Sequence, residues 1–186
     1  MFGFLKRLFA QRDAVSEGIA AIFEEEERRW LEMDRETLAA LEDAELLRAA
    51  WARICAATDA KEDESERLSL LSEAQKTVYV AYNYECEVNN GGLCQYFVND
   101  SRLSAPLLAD ALDAIGAVEH RMRFEAFVRD NAIDLQHLEA FAIDHVKQFA
   151  KMEKRYPFEA FDRAFYEMPS LGECMASYVR ENIESF

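Results

Sequence analysis

The sequence predicts an all-α, single-domain protein of roughly eight to ten helices. Three observations carry that reading. Helix breakers are scarce: 186 residues contain six Gly and three Pro, and Pro106, Pro157 and Pro169 all fall in the second half. Apolar residues recur at 3.6-residue spacing through most of the chain. The hydrophobic fraction of 51% and the thirteen Phe suit a packed core rather than a disordered acidic chain. One core at this length can bury roughly 70% of the unfolded surface. Residues 1–58 read as N-terminal helices, 59–67 as a charged connector and 68–186 as the main helical region, the whole forming one continuous domain.

Met1 to Ala10 sets Phe2, Phe4, Leu5, Leu8 and Phe9 around Lys6 and Arg7. Its apolar runs are too short for a signal-peptide core or a membrane span, so docking on its own domain or on a twin subunit is expected. Asp13 to Met33 reads as a helix with Val15, Ile19, Ile22, Phe23 and Trp30 near one face. Within it, Glu24–Arg28 and Glu25–Arg29 have favourable i,i+4 spacing, each contributing about 0.3–0.5 kcal/mol. A second helix, starting near Asp34 or Asp43, carries the stripe Leu46, Leu47, Ala50, Trp51, Ile54 and Cys55.

Ser72-x-x-Gln75 has the spacing of a capping box, which opens the next element. From Val78 to Val88 two readings compete. Val78, Val80, Tyr82, Tyr84, Cys86 and Val88 alternate as in a strand, and Asn90-Gly91 is a hairpin signal. As a helix, Val78, Tyr79, Tyr82 and Cys86 share a face, and Asn89 to Gly92 end it. An eleven-residue strand would be about twice the usual length and would lack sheet partners, so helix is the prediction.

Further on, Ser104 is placed to cap a helix with Pro106 in its first turn. Leu107, Leu108, Ala111, Leu112 and Ile115 form its buried stripe and Gly116 its end. Val118 to Asp130 should be helical, with Met122, Phe124 and Phe127 inward. Asp134 is predicted to open one long helix through Leu135, Leu138, Phe141, His145, Phe149 and Met152, ending before Pro157. Phe158 to Tyr166 and Leu171 to Phe186 complete the set.

The net charge is −15, from 36 acidic and 21 basic residues. Direct nucleic-acid binding is therefore not expected, because phosphate contact requires a basic face. An acidic surface instead suits solubility, or steering of a basic partner. Cys55, Cys86, Cys94 and Cys174 form no CxxC pair, which reads as reduced thiols in a cytoplasmic protein. His137 and His145 lie eight residues apart, about 12 Å along a helix, too far to share a metal within it. Asp134-x-x-His137 lacks the second acid-x-x-His and the inward carboxylates of a carboxylate-bridged metal site, and Glu85 and Glu87 do not supply them. The three histidines, His120 included, are expected at the surface or its edge. No phosphate loop, serine elbow or activated thiol is present. The expectation is a non-enzymatic protein without catalytic residues, metal or cofactor.

The densest chemistry lies in Glu87-Val88-Asn89-Asn90-Gly91-Gly92-Leu93-Cys94-Gln95-Tyr96-Phe97-Val98-Asn99. Amides beside apolar residues are costly to bury unless each is paired, so this cluster is either a structural knot or a binding site. On a helix starting near Gly92, Gln95 and Asn99 share a face while Leu93, Tyr96 and Phe97 point into apolar surroundings. Glu87, unfavourably placed at a helix C-terminus, should be compensated by backbone N–H groups opening the next helix. The alternative is a small-ligand site or enzyme built on Glu87, Asn90, Gln95 and Asn99, with a pocket beside Tyr96.

This segment, with Ile115-Gly116-Ala117 and Asp162-x-x-Phe165-Tyr166 after it, resembles the family known from an acidic bacterial DNA-mimic protein, the DMP-type domain. The resemblance covers roughly residues 68–186, with Leu93 where an aromatic is usual. It implies an all-α fold, a possible homodimer and no catalytic mechanism. It also suggests DNA mimicry, an acidic surface sequestering a basic DNA-binding protein or transcription factor. Surface candidates for such contact are Glu24, Glu25, Glu26, Glu27, Glu62, Asp63, Glu64 and Glu66, although the first four also suit a solvated helix face. No membrane partner is expected.

Overall fold

A single long helix, broken once, is the axis on which most of the helices after it pack. The computed structural model describes residues 25–59, 61, 63–143 and 145–186, with Val146 described by its backbone. Helix α1 runs through residues 25–32, followed by α2 (Arg35–Ala39), α3 (Asp43–Thr58), α4 (Glu64–Leu70) and the axial α5 (Glu73–Val98). A 3₁₀ turn, Asp100–Ser104, leads into α6 (Ala105–Ala114) and α7 (Val118–Asp130). After a 3₁₀ turn at Glu139–Phe141 come α8 (Val146–Met152), α9 (Phe158–Phe165) and α10 (Gly172–Glu181). Among the described residues there is no strand, so the all-α prediction holds and Val78 to Val88 is helix.

Helix α5 forms because its start is capped and its inward face is continuous. Ser72 N donates to Gln75 Oε1 at 3.0 Å and Gln75 N to Ser72 Oγ at 3.2 Å, satisfying two backbone donors at once. Val78, Ala81, Tyr84 and Val88 are fully buried, and so, past the break, are Leu93, Tyr96 and Phe97. Tyr84 meets Tyr96, Phe124 and Phe165 edge-on, while Phe97 stacks on Phe141 with ring centroids 4.7 Å apart. The aromatic core therefore joins α5, α7, α9 and the 3₁₀ turn that holds Phe141.

The N-terminal helices pack against the far end of the chain. Helix α3 lies on α10, and Arg180 joins them by pairing with Asp43 and donating to the Leu41 carbonyl at 2.7 Å. Arg53 fastens α1 through the Trp30 carbonyl, at 2.9 and 2.8 Å. Leu46, Ala50 and Ile54 are buried as predicted, whereas Leu47, Trp51 and Cys55 are half-buried. The charged connector ends inside a helix: Asp63 caps α4 by accepting the Glu66 N–H at 3.1 Å. Gly116 ends α6 as predicted, at φ +75°, with Ala117 N donating to Leu112 O at 2.8 Å.

Several sequence readings need correction. Residues 134–143 are not one α-helix, because Asp134 accepts the Gln136 N–H and pairs with His137, an Asx-type turn that competes with helix. Of the expected helix, only α8 (Val146–Met152) is α-helical. Leu138 and Phe141 reach the core without a continuous helix beneath them. Leu107 and Met122 are exposed, at 42% and 59%. The Ser104 hydroxyl donates back to Ser101 O at 2.7 Å and does not cap α6. Arg28 pairs with Glu25, and Arg29 reaches Glu45 at 2.6 Å in place of Glu25. Glu24, the Met1 to Ala10 segment and Val15, Ile19, Ile22 and Phe23 lie outside the described residues.

Candidate functional site

The signature segment is the break in α5. Gly91 (φ −158°, ψ 26°) and Gly92 (φ 77°, ψ 175°) interrupt the helical backbone between Asn90 and Leu93. Gly92 needs the left-handed freedom of glycine, and a Cβ there would sit 2.2 Å from Asp162 Oδ2. At Gly91 a Cβ would fall 2.1 Å from Gln95 Oε1, because that side chain folds back over the break.

Breaking a helix orphans carbonyls before the break and N–H groups after it. Helix α9 and the residue that caps its C-terminus, Tyr166, satisfy one of each. Leu93 N donates to Asp162 Oδ1 at 2.8 Å, and the Tyr166 hydroxyl donates to Val88 O at 2.9 Å. The Asp162-x-x-Phe165-Tyr166 segment is thus the physical counterpart of the glycine pair. Burial pushes the Asp162 carboxyl above its ordinary pKa, against the opposing pull of the Leu93 N–H.

Glu87 is compensated differently from the expectation. Its partners are side chains rather than backbone N–H groups: Gln95 Nε2 at 2.6 Å, Asn99 Nδ2 at 2.9 and 3.0 Å, and Ser101 Oγ at 3.2 Å. Gln95 and Asn99, one turn apart, do share a face, and that face holds Glu87. Asn89 and Asn90 remain exposed. Asn90 lines a shallow groove of about 440 Å³ with Gln95, Val98, Asn99, Ile143 and Phe149. Tyr96 is fully buried and lines none of it.

Two acidic ties were not read from the sequence. Glu85 accepts the Leu171 N–H at 2.7 Å and the Ser170 hydroxyl at 2.9 Å, covering the start of α10. Glu64, proposed above as a surface contact, is 5% exposed, and the Tyr79 hydroxyl donates to its Oε2 at 2.8 Å. Burial pushes its carboxyl pKa up and helps to raise Tyr79 to about 12. The Glu85-x-Glu87 spacing, which sends neighbouring acids to different partners, was the available signal for the first tie. Nothing local marks the second.

The remaining acidic candidates divide. Glu25 pairs with Arg28, Asp63 is a cap and Glu66 pairs with Lys61 at 3.0 Å, while Glu27 is exposed. Glu26 is half-buried, and Glu24 and Glu62 lie outside the described residues. His120 is not at the edge as expected. It is buried, with Nε2 2.9 Å from the Pro169 carbonyl, which makes Nε2 the protonated ring nitrogen. Burial raises the thiol pKa of Cys55, Cys86 and Cys94, the last to about 12, so these thiols stay protonated at neutral pH. Among the described residues no three His, Cys, Asp or Glu side chains are grouped to hold a metal ion. No described helix is long and apolar enough to cross a membrane.

Fold and site together define a class: an all-α domain on a glycine-broken central helix whose signature polar groups tie one element to another. The family described as DMP19-like protein matches residues 69–182, from the end of α4 to just past α10, and the chain belongs to that family. No curated protein and no solved structure matches the chain.

Proposed function

We propose that this chain is a non-enzymatic interaction protein whose exposed carboxylates occupy the DNA-binding surface of a basic partner. One observation supports the reading. The carboxylates of the signature, Glu87 and Asp162, and the neighbouring Glu85 are engaged by partners within the fold, while the excess negative charge stands outside it. Asp110, Glu119, Glu125, Glu153, Glu167 and Glu173 are exposed and make no ion pair among the described residues. Unpaired carboxylates on a chain of net charge −15 raise the local concentration of basic partners by long-range attraction.

The test is capture of partners from native lysate, followed by competition with DNA. Binding should weaken steeply with salt, because the screening length falls from about 10 Å at 0.1 M to about 3 Å at 1 M. A captured protein should release its DNA as this chain is added. Recovery of no DNA-binding protein at low salt, or a partner that holds DNA and this chain together, contradicts the reading.

A further inference from the structure

Among the described residues the partly buried arginines are nearly all accounted for. Arg53 donates to the Trp30 carbonyl, Arg67 to the Lys61 carbonyl and Arg102 to the Val98 and Asn99 carbonyls. Arg121 lies 3.4 Å from Asp113, and Arg180 pairs with Asp43. Arg123 differs. It is half-buried, and its Nε, like that of Arg121, is shielded from solvent without a hydrogen bond. Its charge acts on the buried Tyr84 hydroxyl, and among the described residues it alone of these arginines has neither a hydrogen bond nor an ion pair. A shielded donor left unpaired is destabilising, the more so when the group is charged.

Arg123 lines a groove of about 570 Å³ between α7 and α9, a volume within the range of small-ligand sites. Phe127 and Phe161, both nearly fully buried, supply apolar surface beneath it, and Met122 and Met168 flank it. Methionine side chains adapt to varied apolar shapes. Two acids also line the groove. Asp130 is paired with Arg129 at 2.9 Å. Glu119 stands one turn before Arg123 at the i,i+4 spacing of an ion pair, yet makes no ion pair with it. Its charge, with the net −15 of the chain, opposes a dianion more than a single carboxylate.

We propose that this groove binds an apolar chain ending in one carboxylate, with Arg123 receiving the carboxylate and Met122, Met168 and Phe161 the chain. A planar guanidinium suits this role because it can meet a carboxylate with two parallel N–H donors. The site lies on α7 and α9, away from the Glu87 cluster, and does not depend on the interaction function proposed above.

The experiment uses the full chain with ¹³C-methyl methionine, whose six methyl groups report by position. Octanoate should shift Met122 and Met168 saturably and leave Met33, Met152 and Met175 in place. Octanol and octyl phosphate should each bind at least about tenfold more weakly, as expected when a charge-assisted pair is lost or a second negative charge is added. Arg123→Gln should lose octanoate binding by a similar factor, with folding checked by the melting temperature. Glu119→Gln, at an exposed position that does not threaten the fold, should strengthen it. A short peptide ending in leucine, compared with its C-terminal amide, separates the two sources of this chemistry. A peptide acid that outcompetes octanoate assigns the site to a chain terminus, and a silent one assigns it to a free alkanoate. Equal binding of octanol and octanoate, octyl phosphate binding as tightly as octanoate, or octanoate affinity unchanged in both variants, overturns the proposal.

Discussion

Asp162 on α9 accepts the backbone N–H of Leu93 at 2.8 Å and stands where any side chain on Gly92 would have to go. One carboxylate therefore both requires the glycine and satisfies the donor that the glycine's break exposes.

Asp162→Ala leaves the Leu93 N–H without its acceptor and should destabilise by about 1–3 kcal/mol in urea titration. Asp162→Asn keeps an acceptor oxygen and should cost less. Gly92→Ala combines the left-handed penalty of about 1–2 kcal/mol with displacement of Asp162. The double substitution should therefore cost less than the sum of the two single changes, since both remove the same contact.

Gln95→Ala removes the shortest donor to Glu87 and should lower stability by about 1–2 kcal/mol, measured as a fall in the urea midpoint. Glu87→Ala should couple to it in a double-mutant cycle, because Gln95, Asn99 and Ser101 all converge on the same carboxylate.

Burial raises the Glu64 pKa in the folded state, so the folded chain binds this proton more tightly than the unfolded chain. Its contribution to stability is then full below the unfolded carboxyl value, about 4.3, and is lost as pH rises through the raised folded value. Glu64→Gln should flatten that part of the stability–pH curve. Tyr79→Phe removes the hydrogen bond that opposes the shift, and should extend the slope to higher pH.

Ala132 ends α7 at φ 50°, a conformation that favours glycine, and Ile133 N closes the motif on Val128 O at 3.0 Å. Ala132→Gly should raise stability by about 0.5–1 kcal/mol, read as an increase in the melting temperature.

What was legible in the sequence was local. The Ser72–Gln75 box, the Gly116 helix end and the burial of Tyr96 and Phe97 follow from spacing, and each is found where spacing puts it. The face expected before the break is only partly right: Val78 and Tyr79 are buried, but Tyr82 is half-buried, Cys86 is exposed and Tyr84 is the aromatic that enters the core. The sharing of one face by Gln95 and Asn99 was legible for the same reason. The partners of these groups were not, because they come from distant segments. Asp162 is 69 residues from Leu93 and Leu171 is 86 from Glu85, and no periodicity encodes such contacts. The long helix expected from Asp134 failed because an apolar 3.6-residue pattern also fits a 3₁₀ turn that reaches the core, and the Asp134 side chain decided between them.

On the function proposed above, the signature holds the fold while exposed carboxylates make the contacts. The most direct measurement is capture of a basic DNA-binding partner at low salt by two variants, with melting temperature recorded for each. Glu119→Gln/Glu125→Gln/Glu153→Gln should lose capture and melt like the parent. Gln95→Ala should melt lower and, below its transition, still capture. Undiminished capture by the triple variant together with loss by folded Gln95→Ala would contradict it.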